Sequence, residues 1–213
     1  MKIAILGANG KTGTHLVRQA LAAGNEVIAY VRRVEAVPKQ AGLTTVSGQL
    51  SDLEEMARAF AGADAVVCCI GPKVGLPTML KTDLMRTHLG QILKAVKQAG
   101  IDRFVLMSAF GVGDTARKAS LPARIIYKTA MASIFRDKEQ AEKLLPASGL
   151  NWAAVYPVMM HEARPLAHVT VKRLEEVNHV QGLPKVPFAN VATVLLDLAT
   201  HPERLGQRFL ITA

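Results

Sequence analysis

Cysteine is nearly absent from this chain, with only Cys68 and Cys69 present. Neighbours on a strand point to opposite faces, so the pair is poorly placed for a disulfide, and two thiols alone make no metal site. The six histidines (His15, His88, His161, His168, His179 and His201) show no zinc-binding spacing, and no metal is expected. Aromatics are scarce at 5%, and no run of five Lys or Arg occurs. The net charge of +9 therefore lacks the patterning of a nucleic-acid binder, and nucleic acid is not the expected partner. A basic surface around an anionic cofactor and acidic substrates accounts for the charge as well. No apolar stretch approaches the roughly eighteen residues of a membrane span, so no membrane partner is expected. A strand pattern begins at Lys2 with no leader pattern before it, and the expected location is cytoplasmic.

Charged residues are few at 20% against 50% hydrophobic, which implies a large buried core and excludes a disordered chain. A length of 213 residues suits one well-filled α/β domain and is short for two. A monomer or weak homo-oligomer is expected.

What is present is most informative at the start. Lys2-Ile3-Ala4-Ile5-Leu6 runs into Gly7-Ala8-Asn9-Gly10-Lys11-Thr12-Gly13, and Leu16, Val17, Ala20 and Leu21 follow at helical spacing before Gly24. Strand, G-x-x-G-x-x-G turn and helix in that order aim free backbone N–H groups and a positive helix end at a pyrophosphate. Gly7 permits the turn, Gly10 lets a ligand approach the backbone, and Gly13 lets the helix lie close to the strand. The competing P-loop, G-x-x-x-x-G-K-[ST], is suggested by Gly10-Lys11-Thr12. It requires glycine at position 5, where Ile5 sits inside the strand.

Further strands are expected over 26–31, 43–46, 65–70, 103–107, 152–156 and 208–211, several of them near-continuous apolar runs suited to parallel strands covered on both faces. Helical patterns fall between them: 51–62 with Ser51 as N-cap, 80–96 stopping at Gly100, 124–145, and 190–199. The alternation implies a doubly wound parallel sheet of the Rossmann type, one NAD(P)-binding domain over 1–213. The irregular, proline-bearing stretch 159–187 is expected as a small cap or hairpin beside the substrate cleft.

In this architecture the end of the second strand meets the adenosine ribose. An acidic side chain there selects NAD, whereas a basic one pairs with a 2′-phosphate. Tyr30-Val31-Arg32-Arg33 occupies the position, with no carboxylate before Glu35. The guanidinium fork suits a phosphate, so NADP(H) is the expected cofactor, a solvated loop arginine being the alternative reading.

Five stretches carry a family resemblance: Gly7 to Gly13, Val31-Arg32, Ala63-Asp64-Ala65-Val66-Val67, Ser108-Ala109-Phe110, and Ser148-Gly149-Leu150 leading to Val155-Tyr156-Pro157. The chain resembles the atypical short-chain dehydrogenase/reductases with an NAD(P)H-binding, NmrA-like domain, and among them the flavin and biliverdin reductases. The resemblance implies that the glycine turn with Asn9, Lys11 and Thr12 holds the pyrophosphate. Arg32 takes the 2′-phosphate, for which Arg33 is the fallback read from the sequence, and Gln49 and Leu50 lie by the adenine. Gln49 stands where the family commonly has Asp. Ile70 and Gly71 would line the ribose, while Ser108, Pro157 and Val158 would approach the nicotinamide. Ser108 is the candidate catalytic residue, with a structural serine at a strand end as the alternative.

Two departures direct the functional reading. The dehydrogenase pair Y-x-x-x-K is missing: Tyr127 is followed four residues on by Met131, and Lys138 is preceded four residues earlier by Ile134. Without a tyrosine acid or base, alcohol–ketone chemistry is not expected. The histidine that the biliverdin reductases carry shortly after their proline is replaced by Met159, with His161 nearby. The expected activity is an NADPH-dependent reductase of a conjugated acceptor such as a flavin, a quinone or a linear tetrapyrrole, which delocalises charge and takes its proton from water. Phe110, Met159 and Met160 would offer such an acceptor an adaptable apolar floor. An NmrA-like redox sensor that binds NADP(H) without turnover is the alternative.

Overall fold

A computed structural model describes residues 1–73, 75–204 and 206–213. Strand β1 (Lys2–Leu6) leads through the glycine turn into helix α1 (Lys11–Ala22), followed by β2 (Glu26–Val31) and β3 (Leu43–Ser47). Next come α2 (Leu53–Phe60), β4 (Ala65–Cys68), α3 (Leu76–Leu80), α4 (Leu84–Gln98) and β5 (Arg103–Met107). Helices α5 (Leu121–Lys128) and α6 (Ala132–Glu142) precede β6 (Asn151–Pro157), β7 (Met159–His161), β8 (Thr170–Arg173) and β9 (Lys185–Pro187). Helix α7 (Phe188–Thr200) and β10 (Gln207–Thr212) close the chain.

The main sheet runs β3-β2-β1-β4-β5-β6-β10-β8, parallel throughout except for β8, which pairs antiparallel with β10 at the edge. The expected doubly wound α/β fold is thus present, with one antiparallel strand added. Strand order reverses between β1 and β4, the switch point at which such sheets receive ligands. Helices α1 and α7 pack together on one face, and α2, α4 and α6 in sequence on the other. Buried on both sides, β1, β2, β4 and β5 carry almost unbroken apolar side chains.

Four expectations about local structure are corrected. Asp52, not Ser51, caps α2, its carboxylate accepting the Glu55 N–H at 2.9 Å. The 80–96 pattern is broken, because Lys81 is extended and α4 begins afresh at Leu84. Its start is fixed from outside: the buried Asp137 carboxylate of α6 accepts the N–H groups of Met85 (2.9 Å) and Arg86 (3.0 Å). The 124–145 pattern is likewise two helices. The Thr129 hydroxyl donates to the Ile125 carbonyl at 2.8 Å, a local bond that competes with helix continuation. Strand β4 ends at Cys68, short of Ile70.

The 159–187 stretch is not a simple hairpin. It supplies edge strand β8 to the main sheet, while β7 and β9 pair in parallel as a separate ribbon, a geometry that no tight turn can connect.

Candidate functional site

The carboxyl ends of six adjacent strands carry every residue singled out for the cofactor. In spatial order these are Gln49 and Leu50 beyond β3, Arg32 and Arg33 beyond β2, the Gly7–Gly13 turn beyond β1, and Ile70 and Gly71 beyond β4. Ser108 follows beyond β5, with Pro157 and Val158 at the end of β6. With strands about 4.8 Å apart, this row has the reach of an extended dinucleotide.

The turn at its centre is built by close approach. Gly7 has φ +78°, and a Cβ there would sit 3.0 Å from the backbone carbon of Cys69, so β1 and the β4 exit are in direct contact. A Cβ on Gly13 would meet the Gly7 carbonyl oxygen at 2.1 Å. Gly10, the N-cap of α1, has no side chain to satisfy the first-turn donors. The N–H groups of Lys11, Thr12 and Gly13 are thus left to an outside acceptor, as a pyrophosphate requires. Thr12 is buried with its hydroxyl 3.8 Å from the Met160 sulfur, and the Lys11 ammonium lies over the Phe188 ring at 5.3 Å.

At the β2–β3 end, Arg32 and Arg33 are exposed. The Arg32 carbonyl accepts from Ser47 Oγ at 3.2 Å, which ties the loop after β2 to the end of β3. Beneath it Tyr30 is buried and donates its hydroxyl to the Gln49 carbonyl at 3.0 Å. A Cβ on Gly48 would overlap that hydroxyl, so only glycine lets the chain cross here to Gln49 and Leu50. Burial pushes the Tyr30 phenol up to about 12, with the Glu55 and Asp52 charges adding to it.

At the opposite end, Ser108 is 2% exposed, and its N–H donates to the Val155 carbonyl at 2.8 Å. The Phe110 N–H donates to the Pro157 carbonyl (2.9 Å), which joins the loops after β5 and β6. The Ser108 hydroxyl is engaged with the Glu142 carboxylate, whose other oxygen accepts the Tyr156 hydroxyl at 2.7 Å. One turn back on α6, the buried Lys138 donates to the Met107 carbonyl at 3.1 Å. Burial pushes the Glu142 carboxyl up, against the opposing pull of the Ser108 and Tyr156 hydroxyls and the Lys138 and Arg208 charges. It pulls the Lys138 ammonium down, partly offset by Glu142. Sequence reasoning singled out Ser108 and missed its partner Glu142 and the Tyr156 hydroxyl that holds Glu142 from the other side. The available signal was charge on an inward helix face, with Lys138 and Glu142 one turn apart beside the apolar positions Ile134 and Ala141.

The Tyr127 ring stands edge-on to Phe110 and is tilted against Phe135. On β7, Met159 is exposed and the Nδ1 of His161 is buried without a hydrogen-bond partner. The two cysteines are buried free thiols, and burial raises Cys68 to about 11. Among the described residues, no helix is long and apolar enough to cross a membrane.

The chain belongs to the NAD(P)H-binding family, whose model matches residues 7–202. It is 24% identical over 236 residues to an isoflavone reductase of Glycine max, covering 97% of this chain and 68% of that protein. An uncharacterised chloroplastic protein of Arabidopsis thaliana is 26% identical over 177 residues, covering 80% of this chain and 63% of its own length. The chain thus spans about two thirds of the length of these plant relatives. Among solved structures, the anaerobilin reductase ChuY of Escherichia coli O157:H7 superposes with a TM-score of 0.79 at 23% identity, covering 100% of this chain and 97% of that one. A short-chain dehydrogenase/reductase of Veillonella parvula in complex with NADP gives a TM-score of 0.82 at 17% identity, covering 100% and 94%. At these identities the structural likeness shows the fold.

Proposed function

We propose that this protein is an NADPH-dependent reductase that delivers hydride to a conjugated small-molecule acceptor: a flavin, a quinone or a linear tetrapyrrole. The observation that carries this reading is the row of strand ends, with two exposed arginines at one end and a buried serine at the other. The N–H groups of the α1 first turn, with Asn9, Lys11 and Thr12, hold the pyrophosphate, and Arg32 with Arg33 holds the 2′-phosphate. Gln49 and Leu50 border the adenine, Ile70 and Gly71 the ribose, and Ser108, Pro157 and Val158 the nicotinamide. When bound, the reduced nicotinamide supplies the hydride.

What α6 presents supports this acceptor class. Lys138 is turned to the Met107 carbonyl, and Ile134 stands one turn before it where a dehydrogenase tyrosine would sit. An alcohol or ketone needs that phenol, whereas a conjugated acceptor spreads the incoming charge over its own ring system. On β7, Met160 places its sulfur 3.8 Å from the Thr12 hydroxyl, so one of the apolar side chains expected beneath the acceptor stands against the phosphate turn. The relatives named as isoflavone reductase and anaerobilin reductase, and the NADP complex of a structural neighbour, point the same way.

The missing tyrosine also favours a second reading, an NADP(H)-binding sensor without turnover. Steady oxidation of NADPH in the presence of FMN, a quinone or biliverdin supports the reductase. Tight NADPH binding with no oxidation by any of them supports the sensor.

A further inference from the structure

Glu142 is the only carboxylate placed against the proposed catalytic serine among the described contacts, and it is held from two sides. Ser108 Oγ meets Oε1, and the Tyr156 hydroxyl donates to Oε2 at 2.7 Å. A carboxylic acid has one proton and two oxygens. Because Tyr156 already donates to Oε2, a proton on the acid belongs on Oε1, facing Ser108. The direction of the Ser108–Glu142 bond then depends on that proton. With Glu142 ionised, the serine hydroxyl must donate to it and is closed to any other acceptor. With Glu142 neutral, the acid donates to Ser108 Oγ, and the serine's own hydrogen is free to turn toward the nicotinamide side.

We infer that Glu142, held by Tyr156, is a positioning residue that loads and aims the Ser108 hydroxyl as the proton donor to the reduced acceptor, in place of direct delivery from water. This rests on the reductase reading above. As hydride reaches the acceptor, the Ser108 O–H bond breaks and a new bond to hydrogen forms at the acceptor's heteroatom. The Glu142 Oε1 proton passes to Ser108 Oγ, leaving a carboxylate that bulk water reprotonates. The acceptor gains one hydride and one proton, the nicotinamide is oxidised, and the relay returns to its starting state.

The groups around Glu142 set when it is loaded. Lys138 on its own helix, Arg208 from β10 and the two hydroxyls favour the carboxylate, while burial favours the acid and prevails. Arg208 is itself drawn away by a two-pronged pair with Asp114, at 2.9 and 3.1 Å, and by Glu175 at 3.6 Å. Lys138 is directed at the Met107 carbonyl. Neither cation makes a direct ion pair with Glu142 among the described contacts.

The test pairs infrared titration of the carboxylic C=O band in the cofactor-free protein with the pH profile of kcat for NADPH-driven FMN reduction. In the wild type, a band that Glu142→Gln abolishes should fade with rising pH, and kcat should fall over the same range. Glu142→Gln should lower kcat roughly 10²-fold, the low end for a positioned proton-transfer group, flatten its pH profile, and leave the NADPH affinity unchanged. Glu142→Asp should restore part of the pH dependence. Tyr156→Phe, which keeps the ring and releases Oε2, should lower kcat several-fold and shift the band, so the inference stays open to refutation even if Glu142→Gln misfolds. An active Glu142→Gln or Tyr156→Phe protein with the wild-type profile overturns the relay alone. A wild type that shows the band but oxidises no NADPH overturns the reductase reading, and the relay with it.

Discussion

The carbonyl oxygen of Gly7 lies where a Cβ on Gly13 would have to be, with a separation of 2.1 Å. The first turn of α1 is therefore set directly against the end of β1, and no backbone shift short of opening the turn makes room. Gly13→Ala should cost at least the roughly 1–3 kcal/mol of an overpacked core position, read as a lower midpoint in urea unfolding. Wild-type stability in that variant would mean that the turn is looser than described. Gly10 differs, since its Cβ would stand 3.1 Å from the same oxygen at an ordinary φ of −79°. Gly10→Val should stay folded while losing NADPH affinity, because the branched side chain fills the space before the α1 donors.

Arg32→Ala should distinguish the two nicotinamide cofactors. A lost charge-assisted bond to a phosphate costs about 1.5–3 kcal/mol, so NADPH should weaken by one to two orders of magnitude and NADH hardly at all, by calorimetry. Equal affinity of the wild type for both would rule out NADP(H) selection at this strand end. The Arg32→Ala/Arg33→Ala double variant shows whether the arginines share the role.

Asp137 caps a helix to which it does not belong, through the N–H groups of Met85 and Arg86. Asp137→Ala should cost up to about 2 kcal/mol, the upper end for a lost cap. Amide exchange at Met85 and Arg86 should speed up well beyond the rest of α4. Uniform exchange along the helix would show that the cap is not what fixes its start.

Glu142 also ties stability to pH. Its carboxyl is held above the ordinary glutamate value, mainly by burial. The folded chain therefore keeps this proton over a range in which the unfolded chain has already lost it. The stability this adds is complete below about pH 4.3, the unfolded value, and is lost as pH rises through the folded value. The stability difference, wild type minus Glu142→Gln, should thus decline with rising pH in that range. A difference that grows with pH would place the proton on the wrong side of the fold.

Tyr127 packs between Phe110 and Phe135 and makes no hydrogen bond to Ser108 or Glu142 among the described contacts. Tyr127→Phe should leave turnover of a conjugated acceptor nearly unchanged. Loss of activity in a folded, cofactor-binding variant would show that this phenol is the acid after all.

The fold was legible wherever the chain states its own periodicity. The run 2–6 with its three glycines, and the buried strands at 26–31 and 103–107, lie where their apolar patterns put them. What was not legible depends on partners distant in sequence. The break before α4 comes from Asp137, some fifty residues on, and β8 gains its place only from β10. The candidate site divides the same way. Gly7, Gly10 and Gly13 announce themselves by spacing, whereas Glu142 reads as an ordinary helix-end charge until the fold sets Ser108 and Tyr156 against it.

The oxidation rate of NADPH deuterated at one face of nicotinamide C4 separates hydride delivery within the site from cofactor binding alone. With protein-bound cofactor and one equivalent of FMN, hydride delivery within the site should oxidise the NADPH in a single turnover. One deuterated epimer should react more slowly by a primary isotope effect, and the other should react at the unlabelled rate. Bound NADPH that stays reduced through additions of flavin, quinone and biliverdin, or that reacts from both faces alike as it does free in solution, would contradict it.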